Sequence, residues 1–239
     1  KIVIRGRILE WLADFLQNRT IKVRIGETLS DERTIDNGTP QGSVLSPLLF
    51  ILLLDVIPRP PDGIKLSLYA DDCVIWTTGR NTKKLFNNLQ KYLNQVDEVL
   101  TNWGFKISAG KSSFVFFSKI SDLLQDVEKR NLVIGNIALQ RLRSVRFLGV
   151  VFDEGLTWKN QIAETAKKAE KRVNVLRATT GLSWGLRKDN LLMLYRAIVR
   201  SVLDYGCEAF NQSAASSKKV LDRVQRRALM VVTGALRGT

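Results

Sequence analysis

Ser67-Leu68-Tyr69-Ala70-Asp71-Asp72-Cys73-Val74-Ile75 sets two adjacent carboxylates between two β-prone runs. Upstream, Ile64-Lys65-Leu66-Ser67-Leu68 alternates and predicts a strand; residues 73–78 predict a second. No Asn-Gly pair marks the bend, yet the pattern predicts a tight hairpin with Asp71 and Asp72 at its tip. Successive strand residues point to opposite faces. Two neighbouring acids therefore reach one site only at a turn, or one acts and the other supports it. Paired carboxylates in such a frame suit a hard cation that takes oxygen ligands, above all Mg²⁺. The same residues also read as a solvated Asp-Asp turn, since Asp is common in turns.

The chain has 239 residues, 45% of them hydrophobic, enough to bury a sizeable core in one large domain or two smaller ones. Its formal net charge is +14, which points to a polyanionic partner, most simply nucleic acid. The charge is uneven. Residues 158–239 carry 16 Lys+Arg against 6 Asp+Glu, net +10; residues 1–157 carry 21 against 17, net +4. Histidine is absent, which excludes Ser-His, Cys-His and His-metal chemistry within these residues. Cys73 and Cys207 stand far apart, with neither a disulfide framework nor zinc-ligand spacing. The longest apolar run, residues 48–54, is far short of the roughly 20 residues a membrane helix needs, so no membrane partner is expected. The chain opens at Lys1 in mid-pattern without Met and reads as a fragment of something longer.

The remaining periodicities place the other elements. Residues 7–18 predict an amphipathic helix, 19–25 a strand, and 33–36 a returning strand. Asn37-Gly38-Thr39-Pro40-Gln41-Gly42-Ser43-Val44-Leu45-Ser46-Pro47 predicts a loop in which Gly42 lets a ligand approach the main chain. Ser46 as N-cap and Pro47 at the first position predict a helix running to residue 57. It is apolar nearly all round and so expected to be buried. Asn81 and Thr82 start a long helix that Gly104 ends. A turn at 108–110, with Lys111 just after it, leads into a strand at 113–117, a short helix within 119–131, and a hairpin around Gly135-Asn136. Residues 145–152 read as a strand. From Trp158 three helices follow, with a domain boundary expected near 155–158.

Two blocks identify a family when taken together. The Asn37 to Phe50 block around Pro40-Gln41-Gly42, followed by Tyr69-Ala70-Asp71-Asp72, resembles the palm of reverse transcriptases. Trp103-Gly104-Phe105-Lys106 with Lys111, then Phe147-Leu148-Gly149-Val150, agree in order. Arg5-Gly6-Arg7 through Phe15-Leu16, residues 19–25, and Val202-Leu203-Asp204-Tyr205-Gly206 resemble non-LTR (LINE-type) retrotransposons. The resemblance covers nearly the whole chain. It implies an α+β fold: a partial polymerase palm, an antiparallel sheet backed by helices, over residues 1–157. A basic, all-helical thumb-like domain over 158–239 follows.

The resemblance further implies RNA-directed DNA synthesis: a primer 3′-hydroxyl attacks the α-phosphate of a dNTP on an RNA template. Two Mg²⁺ ions (or Mn²⁺) about 3.5–4 Å apart stabilise the attacking and leaving oxygens. By the family pattern Asp71 is the direct metal ligand and Asp72 the supporting acid. Gln41 and Gly42 line the incoming nucleotide. Lys111 protonates the leaving pyrophosphate or stabilises its charge, and Phe147-Leu148-Gly149 is a strand that grips the DNA primer. Read from the residues alone, Lys111 can also be a solvated turn lysine, Gln41 a loop hydrogen-bonder, and Phe147-Leu148-Gly149 ordinary strand core. The family's third metal-binding Asp lies upstream of the helix near Arg7. That strand, the fingers, and any endonuclease or zinc-knuckle segment are expected in missing upstream or flanking parts of the same polyprotein; Asp14 is no substitute. The 239 residues alone are therefore expected to be inactive. A non-catalytic nucleic-acid-binding remnant and an intron-encoded maturase are the alternatives.

Overall fold

A computed structural model of the chain describes residues 4–35, 37–181 and 184–235. Helix α1 (Arg7–Leu16) leads into β1 (Arg19–Ile21), β2 (Arg24–Ile25), β3 (Thr28–Leu29) and β4 (Arg33–Ile35). The strand expected over 19–25 is broken. Gly26, at φ 62°, turns the chain at once, so β2 pairs with β3 and β1 with β4, both antiparallel. The last position of the expected return strand, Asp36, lies outside the described residues.

Helix α2 (Leu45–Leu54) departs from expectation at both ends and in its burial, and it stops short of residue 57. It starts one residue before Ser46, with Val44 at the cap position and no side-chain cap. The Ser46 hydroxyl instead donates to the Pro40 carbonyl at 2.6 Å, closing the preceding loop. Pro47 still falls in the first turn, where its missing N–H costs nothing. The helix is apolar as expected but none of its residues is buried; Leu48 and Ile51 stand exposed. An all-round apolar pattern reports what a helix needs, and the described elements do not supply that cover.

Next come β5 (Ile64–Tyr69), β6 (Asp72–Thr77) and α3 (Thr82–Asn102). Asn81 caps α3 by accepting from Lys84 N–H at 3.0 Å, and Gly104, at φ 78°, ends it. A 3₁₀ turn (Ala109–Lys111) precedes β7 (Ser113–Phe114), α4 (Ser121–Glu128), β8 (Val133–Ile134), β9 (Ile137–Ala138) and β10 (Gln140–Arg141). Then follow β11 (Ser144–Phe147), β12 (Val150–Asp153) and α5 (Lys159–Arg177). Helix α6 (Lys188–Leu194) runs through a π-helical stretch (Tyr195–Arg200) into α7 (Ser201–Asp204). Helices α8 (Cys207–Phe210) and α9 (Ala215–Thr233) complete the described chain. The mixture of helices and strands is as expected. In place of one antiparallel sheet, the described residues form separate two-stranded ladders, and β7 with β10 is parallel.

The chain packs as two units. Residues up to Ala109 with Leu132–Ala138 form the first; Gly110–Asn131 with the residues from Leu139 onward form the second. In the first unit one face of the β5–β6 hairpin lies on α3. Ile64, Tyr92 and Val96 are buried, with Ile57, Ile75, Leu89, Leu100 and Ile107 around them. Burying Tyr92 and Val96 contributes about 2 kcal/mol each. The Tyr92 hydroxyl stays satisfied by donating to Pro58 O at 2.6 Å. Gln90 clamps Val133 from α3, accepting from its N–H at 2.8 Å and donating to its carbonyl at 2.7 Å.

In the second unit α5, the α6–α7 segment and α9 bury Ala166, Ala169, Val173, Leu176, Leu191, Tyr195, Val199, Val224, Ala228 and Val232 together. The alanines at 166, 169 and 228 keep the helix surfaces small at the contact, so backbones approach closely. The β11–β12 hairpin packs with these helices through Val150, Trp158, Ile162 and Phe210. Trp158, at φ 63°, begins α5. Asp153 accepts from the backbone N–H groups of Thr157 and Trp158, both at 2.8 Å, and from the Thr157 hydroxyl at 2.9 Å.

Candidate functional site

The β5–β6 ladder runs in register from Ile64 opposite Thr77 to Tyr69 opposite Asp72, which leaves Ala70 and Asp71 as a two-residue loop. Directly opposite residues share a face. Lys65, Ser67, Tyr69, Asp72, Val74 and Trp76 therefore lie on one side, while Ile64 and Ile75 on the other pack onto α3. Asp72 starts β6 on the face away from α3, and Asp71 sits in the loop beside it. Both are exposed, and neither side chain makes a hydrogen bond or ion pair to a described residue. Ala70 adopts φ 50°, left-handed for a residue with a Cβ, at a cost of about 1–2 kcal/mol. The hairpin thus presents two unneutralised carboxylates on a loop that carries strain.

These oxygens are the donor type that Mg²⁺ takes, and they fit as part of a ligand set. Among the described residues no group of three or more Asp, Glu, Cys or His converges to complete one.

Gln41 and Gly42 lie in the first unit, in the loop before α2; both are exposed, and Gly42 has φ 85°. No hydrogen bond among the described residues joins Gln41 to the Asp pair. The start of this loop is held by a residue that sequence reasoning missed. Arg19 donates from Nη2 to Gly38 O at 2.7 Å and to Asn37 O at 3.4 Å, and from Nε to Leu16 O at 2.9 Å. It ties the last turn of α1 to Asn37-Gly38. Nothing in the local pattern around Arg19, an exposed-looking arginine before a short strand, signals a partner nearly twenty residues away.

Lys111 ends the 3₁₀ turn in the second unit, exposed and with its ammonium unpaired among the described residues. Phe147, Leu148 and Gly149 are also in the second unit, but they do not form one strand. Phe147 is the last residue of β11, opposite Val150; Leu148 and Gly149 are the turn, at φ 46° and 78°. A run such as Val-Arg-Phe-Leu-Gly-Val-Val-Phe shows no turn signal except Gly149, so its local pattern predicts a strand through the bend. Tyr205, from the α7–α8 junction, donates to Leu148 O at 2.6 Å. Leu148 costs about 1–2 kcal/mol in this conformation, and such a hydrogen bond offsets about 0.5–1.5 kcal/mol of it.

Basic residues on α5 and α9 form exposed rows. Lys167, Lys168, Lys171 and Arg172 on α5, and Lys219, Arg223 and Arg226 on α9, make no ion pair among the described residues; Arg227 pairs with Glu170. Lys219, Arg223 and Arg226 fall at helical spacing on one stripe.

Residues 2–152 match the model of the reverse transcriptase (RNA-dependent DNA polymerase) family. The chain belongs to the reverse transcriptase family. It is 24% identical over 242 residues to the RNA-directed DNA polymerase from mobile element jockey of Drosophila funebris, covering 98% of this chain and 26% of that protein. It is 24% identical over 227 residues to the probable RNA-directed DNA polymerase from transposon X-element of Drosophila melanogaster, covering 93% and 24%. A probable RNA-directed DNA polymerase from transposon BS of the same fly is 25% identical over 246 residues, covering 95% and 26%. The chain spans about a quarter of the length of these relatives. No helix among the described residues is long and apolar enough to cross a membrane.

Proposed function

We propose that the chain is part of a non-LTR retrotransposon reverse transcriptase that extends a DNA primer on an RNA template from dNTPs. The observation that carries the reading is the β5–β6 hairpin. It presents Asp71 in, and Asp72 directly after, a loop with a strained Ala70, both carboxylates exposed and unpaired among the described residues. Family membership and polymerase relatives along nearly the whole chain support it.

On this reading residues 1–157 serve as partial palm and 158–239 as a basic thumb-like domain. Asp71 would hold a divalent ion directly, and Asp72, anchored in the ladder opposite Tyr69, would orient and support it. When bound, Mg²⁺ supplies positive charge at the attacking and leaving oxygens of the transferred phosphate. Gln41 contributes a hydrogen-bonding amide beside the incoming nucleotide. Gly42, at a φ that side chains avoid, allows close passage of the main chain. The Lys111 ammonium donates a proton to departing pyrophosphate or offsets its charge. The Phe147-Leu148-Gly149 tip holds the primer end. The unpaired cations of α5 and α9 bind the sugar-phosphate backbone by charge, which is independent of sequence.

RNA-templated primer extension by the full-length protein containing this region tests the proposal. Activity that requires Mg²⁺ and disappears in Asp71→Asn supports it. Undiminished extension by Asp71→Asn overturns it.

A further inference from the structure

We propose that Tyr205 is a positioning residue that sets the Leu148-Gly149 turn and, through it, the primer 3′ end; the proposal rests on the primer-holding reading of that turn. A two-residue loop with positive φ at both positions matches the twist of its strands, and Asn-Gly or Asp-Gly adopts it readily. Here the first position is Leu148, whose Cβ opposes the left-handed conformation. The turn is therefore poorly supported by its own sequence and depends on contacts from outside. It has two. Tyr205 donates its hydroxyl proton to Leu148 O at 2.6 Å. Arg146 Nη1 reaches Gly149 O at 3.4 Å, while its Nη2 pairs with Glu164 on α5. Both turn carbonyls are thus taken up by side chains.

The ring is fitted to the turn as well as bonded to it. A Cβ at Gly149 would lie 3.2 Å from Tyr205 Cε1 and 3.4 Å from its hydroxyl oxygen, a tight contact that would push the ring off by a few tenths of an ångström. The next residue, Gly206, has φ 69°, and a Cβ there would meet Val150 Cγ2 at 2.8 Å. Tyr205-Gly206 therefore seats directly on the first residues of the hairpin's return. Leu203 and Phe210, both buried, anchor the junction on either side. Tyr205 itself is 57% exposed and Leu148 36% exposed. The ring works at the surface, next to the tip assigned to the primer, and adds little to the core.

The test uses the full-length protein containing this region with an RNA template–DNA primer duplex carrying 2-aminopurine at the primer 3′ end. Tyr205→Phe removes only the hydroxyl. It is expected to speed hydrogen exchange within residues 146–152 by about three- to tenfold, the range for one lost hydrogen bond. It should shift the 2-aminopurine emission toward that of the free duplex, while duplex affinity and Tm change little. Gly149→Val, which breaks the turn directly, should shift the emission further. Unchanged exchange and emission in Tyr205→Phe overturn the proposal. Faster exchange with unchanged emission, when Gly149→Val does shift it, also overturns the positioning role and leaves the primer-holding reading intact. Unchanged emission in Gly149→Val sinks the primer-holding reading, and the positioning role falls with it.

Discussion

Tyr69 and Asp72 face each other as the last rung of the β5–β6 ladder, and only Ala70 and Asp71 lie beyond them. That rung fixes the direction of Asp72: away from the face that Ile64 and Ile75 bury against α3. Asp71, one residue earlier, is outside the ladder, so adjacency in sequence does not force the two carboxylates onto opposite faces.

Ala70 is the strained member of this loop, at φ 50°. Ala70→Val, β-branched, is expected to lower stability by about 1–3 kcal/mol. Ala70→Gly should fall within about 0.5 kcal/mol of wild type, because relief of strain is offset by the greater freedom of glycine in the unfolded chain. Urea unfolding midpoints at constant m measure both. Equal midpoints for Val and Gly would show that the left-handed angle is not required.

Asp153 holds the entry to α5. Burial alone would raise its carboxyl pKa, but the hydrogen bonds from Thr157 and Trp158 outweigh it and hold the pKa below the usual aspartate value. The folded state therefore binds this proton less readily than the unfolded state. The stabilisation is complete above the unfolded pKa, about 4, and is lost as pH falls through the lower folded pKa. Asp153→Asn should cost about 1–2 kcal/mol at pH 7 and converge with wild type toward pH 2. Parallel pH–stability profiles for the two proteins would contradict the assignment.

The α9 stripe gives a salt-dependent prediction. Replacing Lys219, Arg223 and Arg226 together by Gln removes three exposed cations that no described residue pairs. If all three meet phosphates, the slope of log K against log salt should become shallower by about 0.9 for each on a duplex. Fluorescence anisotropy at several salt concentrations measures it. An unchanged slope would place the phosphates elsewhere.

How far these features could be read from sequence depends on the range of the contact that sets them. Helix α3 was legible because its signals are local: the Asn81 cap, apolar residues at helical spacing, and Gly104 beyond the end. The β5–β6 hairpin was legible from alternation alone, though alternation could not say that Asp71 falls in the loop and Asp72 in the strand. Ser46-Pro47 misled by two residues, since the serine hydroxyl bonds the Pro40 carbonyl instead of the helix end. The turn at Leu148-Gly149 was illegible because its support comes from Tyr205, far along the chain, and no local preference of leucine predicts a left-handed angle. The exposure of Leu48 and Ile51 was equally hidden, because composition states an apolar surface without naming its cover.

The sharpest prediction separates the two acids. In the full-length protein, Asp71→Asn keeps the side chain's shape and removes the charge of the proposed direct ligand. RNA-templated extension should fall roughly 100- to 1,000-fold, the scale of losing one electrostatic stabiliser of a reacting phosphate. Asp72 is held in the ladder opposite Tyr69 and supports the ion from one residue away. Asp72→Asn should therefore cost about ten- to a hundredfold, typical of a group that orients a metal ligand. Raised Mg²⁺ should recover part of the Asp72→Asn activity, because that variant weakens the ion's hold without removing its ligand. It should recover little in Asp71→Asn. Primer–template affinity should survive both changes, since the backbone contacts are assigned to cations on α5 and α9. Initial extension rates across one Mg²⁺ titration, with duplex affinity measured in parallel, decide it. Equal losses with equal Mg²⁺ recovery would mean that the two carboxylates share one role. The reverse order would make Asp72, on the face away from α3, the direct ligand.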